Sequence, residues 1–218
     1  LLATALGLRD VQILERFQVG YSNGSLLKAI PTKGGSRDEL THLGLLDQDG
    51  SDVTQGCLLV PVFDRQDSVL GFVAIGEKGQ ETRFPGSLPL YGVHVAALQE
   101  ETVVFTASVL DCLRFAQAGQ AAMPLLPQIS REERDLLSRH RPKRAVLAAD
   151  NPELLGLLQK LEVPCARLTL AWPATGPQVE EALRLAAPIG ERLGPEAVVR
   201  PSGEALRFEC GNRVYEVK

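Results

Sequence analysis

The polar side chains best placed for chemistry follow two apolar segments, "VVFTASVLD" and "AVLAADNPE". Each apolar run predicts a buried strand, and the turn after such a strand is where α/β proteins hold catalytic and ligand-binding groups. The first turn contains Ala107 and Ser108, with Asp111 further on, and the second ends on Asp150. A carboxylate at such a turn can bind a divalent cation, whereas Ser108 has no His or Lys nearby in sequence to activate it. Asp150 and Asp111 are therefore the residual candidates for a catalytic site, and Asp150 is the candidate metal ligand.

Both carboxylates also have a structural interpretation. An aspartate that ends a strand often caps the helix that follows, and we favour this role for Asp150 because Pro152 begins a predicted helix. Asp111 lies three residues before Arg114, a spacing that suits an ion pair on one helix face. The sequence alone leaves both uses open.

The elements that must position these residues change in character near residue 85. Before it come short helical segments and two β-rich runs, "GCLLVPVFD" and "VLGFVAIG", which predict an antiparallel hairpin. After a Gly- and Pro-rich stretch, strands and helices alternate, which predicts a mostly parallel sheet flanked by helices. We predict an α+β lobe over 1–85, a linker over 86–100, an α/β lobe over 101–172, and a C-terminal helix with a β-hairpin over 173–218.

Composition limits the class of protein. The 218 residues are 44% hydrophobic and 23% charged, as in ordinary water-soluble domains. No apolar run approaches the ~20 residues of a membrane span, so we expect a cytoplasmic protein without membrane contact. The four cysteines lie far apart without a CxxC pair, which excludes zinc in this segment and favours free thiols. The first residue is Leu1, so we expect an excised piece of a longer chain.

Basic residues suggest weak binding to nucleic acid. A net charge of −4 argues against a strongly electrostatic binder, although a local patch can act alone. Most basic residues of "SREERDLLSRHRPKR" alternate with acids, which is typical of a solvated helix face. Those after the acidic part are uninterrupted by acid, and two lysines of the first lobe could assist them. The predicted nucleic-acid-binding set is Lys28, Lys33, Arg141, Lys143 and Arg144.

Several segments, in their order, resemble the catalytic core of the bacterial (DnaG-like) DNA primase. They are "ERFQVGYSNGSLLKAI", "GCLLVPVFDRQDSVLGFV", "LYG" and the strand–turn–helix over 103–119, which resembles the start of the primase TOPRIM domain. The resemblance runs from about Leu1 to about Leu170 and is nearest to primase-like proteins of phages and mobile elements. It implies a role in DNA replication, single-stranded DNA as a partner, and contact with replication proteins such as a helicase.

The resemblance also implies a metal site, from which this sequence departs. The family pattern has a Glu after the first TOPRIM strand and an Asp-x-Asp after the third, which hold Mg²⁺ for phosphoryl transfer. Here the Glu position is Ala107, and the Asp-x-Asp reads Asp150-Asn151-Pro152. Basic positions of the family hairpin are filled by residues 55 and 75, a Gln and an Ile. We expect a degenerate site with no tightly bound cofactor, at which Mg²⁺ binds only if part of the family site is retained.

Three functions remain open at this point. The first is a primase-related protein whose core serves as a scaffold or as a docking module for nucleic acid or a partner. The second is an active primase or TOPRIM nuclease completed by other parts of the full-length chain. The third is an unrelated α/β binding protein.

Overall fold

The computed structural model describes residues 2–32, 34–64, 66–126, 128–170, 172, 174–189, 197–202, 205–210 and 213–217. The chain divides into two compact units, Leu1–Val93 and His94–Lys218, which we call unit 1 and unit 2. The division falls inside the predicted linker over 86–100. That range is packed rather than extended, because it forms 3-10 helices at Tyr91–Val93 and Val95–Gln99 and buries Leu88 and Leu98.

Unit 1 combines short helices with one antiparallel sheet. Its helices are α1 (Leu2–Ala5), α2 (Val11–Arg16), α3 (Leu26–Ala29) and α4 (Gly35–His42). Its strands are β1 (Gly20–Tyr21), β2 (Leu58–Phe63), β3 (Val69–Ile75) and β4 (Glu81–Phe84), paired in that order. The predicted hairpin is the β2–β3 pair. Alternate residues of β2 are buried, as one-sided burial of a strand requires.

Unit 2 is built on four parallel strands. They are β5 (Thr102–Thr106), β6 (Ala122–Pro124), β7 (Arg144–Leu147) and β8 (Cys165–Leu170), in the spatial order β6-β5-β7-β8. The helices of this unit are α5 (Val109–Gln117), α6 (Arg131–Arg139), α7 (Pro152–Lys160) and α8 (Gly176–Leu185). Strand and helix alternate as the sequence pattern predicts, and the predicted fold class is confirmed.

Four more strands extend the sheet beyond β8. A short strand, β9 (Ala187–Pro188), pairs antiparallel with β8, and β10 (Ala197–Ser202) pairs parallel with it. Then β11 (Ala205–Cys210) and β12 (Arg213–Val217) follow as antiparallel neighbours. The β-hairpin predicted near the C-terminus corresponds to β11 and β12, and positions 211–212 between them lie outside the described residues.

Burial explains why the parallel strands run in continuous apolar segments. Val103, Val104, Ala145 and Val146 each have 0% of their surface exposed, as expected for parallel strands enclosed by helices and loops. Because these strands are parallel, their carboxyl ends share one edge of the sheet, which we call the carboxyl edge. Among the described residues, no helix has both the length and the apolar character needed to span a membrane.

Candidate functional site

A shallow depression lies on the carboxyl edge of unit 2, where both candidate turns meet. Ala107 follows β5, Asp150 follows β7, and the two turns border one small concavity that is open to solvent. Its other lining residues are mostly apolar: Phe105, Thr106, Leu125, Leu147, Ala149, Asn151 and Leu154. The structure therefore brings together the two turns that the sequence singled out, as a parallel sheet requires.

The turn after β5 uses its polar groups to begin helix α5. The Thr106 hydroxyl donates to the Ser108 carbonyl oxygen at 2.8 Å. The Ser108 hydroxyl oxygen accepts the backbone N–H of Asp111 at 3.0 Å and is the helix N-cap. Ala107 contributes only a methyl group to the exposed part of this turn. The turn therefore supports the helix and offers no side-chain ligand at position 107.

Asp150 forms an ion pair and does not cap the following helix. Its Oδ1 lies 3.1 Å from a guanidinium nitrogen of Arg167 on β8, and the Asp150 side chain is 75% exposed while that of Arg167 is 15% exposed. The cap is instead Asn151, whose Oδ1 accepts the backbone N–H of Leu154 at 2.9 Å. Our preference for Asp150 as the cap is wrong because Asn151, one residue closer to the helix, fills that position.

Asn151 is also tied to the neighbouring loop. The side chain is only 6% exposed, and its Nδ2 donates to the carbonyl oxygen of Leu126 at 3.0 Å. Both the nitrogen and the oxygen of this amide form hydrogen bonds within the protein, so the oxygen serves as the helix cap rather than as a ligand-binding group.

The carboxylates in the first turns of α5 and α7 are paired with arginines as well. Asp111 lies 3.1 Å from Arg114, as the spacing predicted. The same guanidinium stacks over the ring of Trp172 at 5.5 Å from the ring centroid. Glu153 pairs with Arg134 and accepts the backbone N–H of Ile129 at 3.1 Å. The ion pairs of Arg134 and Arg167 join residues that are far apart in the sequence, so local spacing does not predict them.

These donors do not fit a magnesium site. Mg²⁺ is usually held by one or two carboxylates together with substrate phosphates and water. Within the described part of the chain, no group of three or more His, Cys, Asp or Glu side chains is placed to hold a metal ion. At the carboxyl edge Asp150 stands beside a methyl group and a proline, and its carboxylate already has a cationic partner.

Two of the predicted nucleic-acid-binding residues lie at the amino edge of the unit 2 sheet. Arg144 begins β7, so Arg144 and Lys143 are at the opposite edge of the sheet from Asp150. Lys143 pairs with Glu101, and Arg141 donates to the carbonyl oxygen of Leu161 at 3.5 Å.

Arg144 has a structural role that the sequence did not indicate. Its guanidinium donates to the carbonyl oxygen of Leu183 at 3.1 Å and to that of Ala186 at 3.5 Å, at the end of α8. Lys28 is exposed on α3 of unit 1, and Lys33 lies outside the described residues. Binding of nucleic acid by this set stays a prediction.

Comparison with known proteins gives a match at the level of structure. No protein-family model and no curated protein matches the sequence. A solved DnaG catalytic core matches with a TM-score of 0.62 at 14% identity, covering 85% of this chain and 72% of the other. A DnaG primase catalytic domain bound to single-stranded DNA matches with a TM-score of 0.60 at 16% identity, covering 86% of this chain and 71% of the other. The Escherichia coli primase catalytic core matches with a TM-score of 0.58 at 16% identity, covering 86% of this chain and 74% of the other.

These matches span both units of the chain and agree with the resemblance found in its sequence segments. The likeness to phage and mobile-element forms stays a prediction. The chain has the fold of the bacterial DnaG primase catalytic core.

Proposed function

We propose that this chain is a DNA-primase-related protein of DNA replication or of mobile elements that no longer catalyses primer synthesis. In this proposal the core is a scaffold, or a docking module for nucleic acid or a replication partner such as a helicase. The fold supports a primase-related function, and the chemistry of the carboxyl edge supports the loss of catalysis.

The observation that carries the proposal is the donor set at the two turns. Phosphoryl transfer of this kind depends on a cation that offsets the charge developing on the phosphates. Ala107 offers no ligand, Pro152 replaces a second carboxylate of the family pattern, and Asp150 is paired with Arg167. The signals for folding are intact at the same turns, since Ser108 and Asn151 cap their helices. Both observations are accounted for by a protein that retains the primase fold as a scaffold but has lost the catalytic activity.

The direct test is primer synthesis on a single-stranded DNA template with ribonucleotides and Mg²⁺ or Mn²⁺. We expect no product from this chain, while the Escherichia coli primase catalytic core serves as the positive control in the same assay. Losing most of the cation's ligands removes several kcal/mol of transition-state stabilisation, and each ~1.4 kcal/mol is about tenfold in rate. Metal-dependent synthesis that is abolished by Asp150→Ala would overturn the proposal and establish the active-primase alternative.

The docking function is tested by fluorescence anisotropy with labelled single-stranded DNA. Because Arg144 bonds to the end of α8, its reversal would disturb the fold, so the test variant reverses only Lys28, Lys33, Arg141 and Lys143 to Glu. A matched control reverses four exposed basic residues outside the predicted set: Lys78, Arg131, Arg139 and Lys160. Both variants change the net charge equally, so a site-specific effect separates from the effect of overall charge.

We expect the unmodified chain to bind single-stranded DNA weakly, with an affinity that decreases as salt rises from low to moderate concentration. The affinity should decrease at least about tenfold in the test variant and by less in the control variant. Equal losses in the two variants, or affinity independent of salt, would remove DNA from the proposal and leave a protein partner.

A further inference from the structure

Arg167 occupies an unusual place for an arginine. It lies inside the apolar strand β8, directly opposite Leu147, the last residue of β7. From there the side chain reaches the carboxyl edge and meets Asp150 at 3.1 Å, with only 15% of its surface exposed. Arginine in such a position is costly unless its charge is compensated, because a buried guanidinium loses hydration. The carboxylate of Asp150 supplies that compensation.

We propose that the guanidinium of Arg167 takes the electrostatic place of a divalent cation at the carboxyl edge, so that Asp150 is an ion-pair partner and this edge does not bind Mg²⁺ or Mn²⁺. The inference rests on the proposed loss of catalysis and deepens it. The missing ligands at positions 107 and 152 explain why a cation would be held weakly. The presence of Arg167 explains why it would also be repelled.

Two observations support this exchange of a cation for an arginine. A divalent ion at Asp150 would stand a few ångströms from a fixed positive charge, and Coulomb repulsion at that range is substantial even near a surface. The carboxylates in the first turns of α5 and α7 show the same arrangement, because Asp111 and Glu153 are each paired with an arginine of their own unit. These three carboxylates are thus each neutralised by an arginine that the fold itself supplies.

The test is a series of variants in the full 218-residue chain, with Mn²⁺ binding measured by calorimetry. The double variant Ala107→Glu/Pro152→Asp restores the missing carboxylates, and the triple variant adds Arg167→Gln. We expect no measurable binding by the unmodified chain, weak binding by the double variant, and binding at least about tenfold tighter by the triple variant. Adding Arg184→Gln to the double variant is the matched control, since Arg184 also pairs with a carboxylate but lies on α8.

Two further variants separate charge from packing. Arg167→Lys in the same background keeps the positive charge, so we expect it to bind Mn²⁺ no more tightly than the double variant. Arg167→Met retains an apolar stem of similar reach, and it replaces Arg167→Gln if that variant fails to fold by circular dichroism. With either neutral residue, the gain in Mn²⁺ affinity has the same expected size.

The outcomes distinguish this inference from the function on which it rests. If the double variant already binds Mn²⁺ as tightly as the triple variant, or if the triple variant gains nothing, the role of Arg167 is wrong and the loss of catalysis stands. If the unmodified chain binds Mn²⁺ and Asp150→Ala abolishes that binding, the role of Arg167 is wrong, and the loss of catalysis is wrong as well only if the chain also synthesises primers with that metal.

Discussion

Replacing the buried Asn151 with alanine should destabilise unit 2 by about 2–3 kcal/mol. Its Oδ1 caps α7 at 2.9 Å and its Nδ2 donates to Leu126 at 3.0 Å, while the side chain is 6% exposed. Loss of a helix cap costs about 1 kcal/mol. A part-buried carbonyl oxygen left without its donor adds about 1–2 kcal/mol. The assay is urea unfolding followed by fluorescence of Trp172, the single tryptophan of the chain, which lies in unit 2.

One further variant separates the two hydrogen bonds, and another serves as a control. Asn151→Asp keeps an oxygen for the N–H of Leu154 but places a second, charged oxygen against the Leu126 carbonyl, so we expect it to lose at least about 1–2 kcal/mol at neutral pH. Gln178→Ala is the control within unit 2: Gln178 Oε1 also accepts a backbone N–H, that of Thr175 at 2.8 Å, but this bond is exposed and should matter by less than about 0.5 kcal/mol. If Asn151→Ala behaved like Gln178→Ala, the argument from burial would be refuted.

Two further changes test packing and ionisation. Gly71→Ala would put a methyl carbon 2.1 Å from the carbonyl oxygen of Phe84, so we expect a loss of at least about 2 kcal/mol in thermal or urea unfolding. The matched variant Gly156→Ala, in α7 with open space around the new carbon, should instead gain about 0.5–1 kcal/mol. Burial raises the pKa of the Cys165 thiol to about 11. Because the unfolded thiol releases its proton first, the free energy of unfolding should fall between about pH 9 and 11, and Cys165→Ala should lack that fall; an equal fall in both would show that another group is responsible.

The strands and helices of unit 2 could be predicted because local signals agree with the fold. The run from Val103 to Phe105 is apolar throughout, as a fully buried parallel strand requires. Ser130 precedes α6 and caps it, with Glu133 completing a capping box. Signals of this kind depend only on neighbours in sequence, so the resulting order of elements and the position of both turns were predictable.

The partners at the carboxyl edge could not be predicted in the same way. Asp150 and Arg167 are brought together by the pairing of β7 with β8, which sequence spacing does not specify. The single signal was an arginine within the apolar run "CARLTL", and such a residue usually reaches solvent. The glycines and prolines over 86–100 predict a linker, although the same range contains apolar residues that are buried, such as Leu88 and Leu98.

The two sheets also imply different folding rates. In unit 1 the β2–β3 pair joins Leu58 to Ile75 through a short hairpin, so its contacts form between near neighbours in the chain. In unit 2 the β5–β7 pair brings Thr102 beside Arg144, although two helices and a strand lie between β5 and β7 in the sequence. Loop closure over such distances opposes early contacts, and folding slows as contacts become less local. In pulse-labelling hydrogen exchange during refolding, amides of β2 and β3 should therefore gain protection before those of β5 and β7.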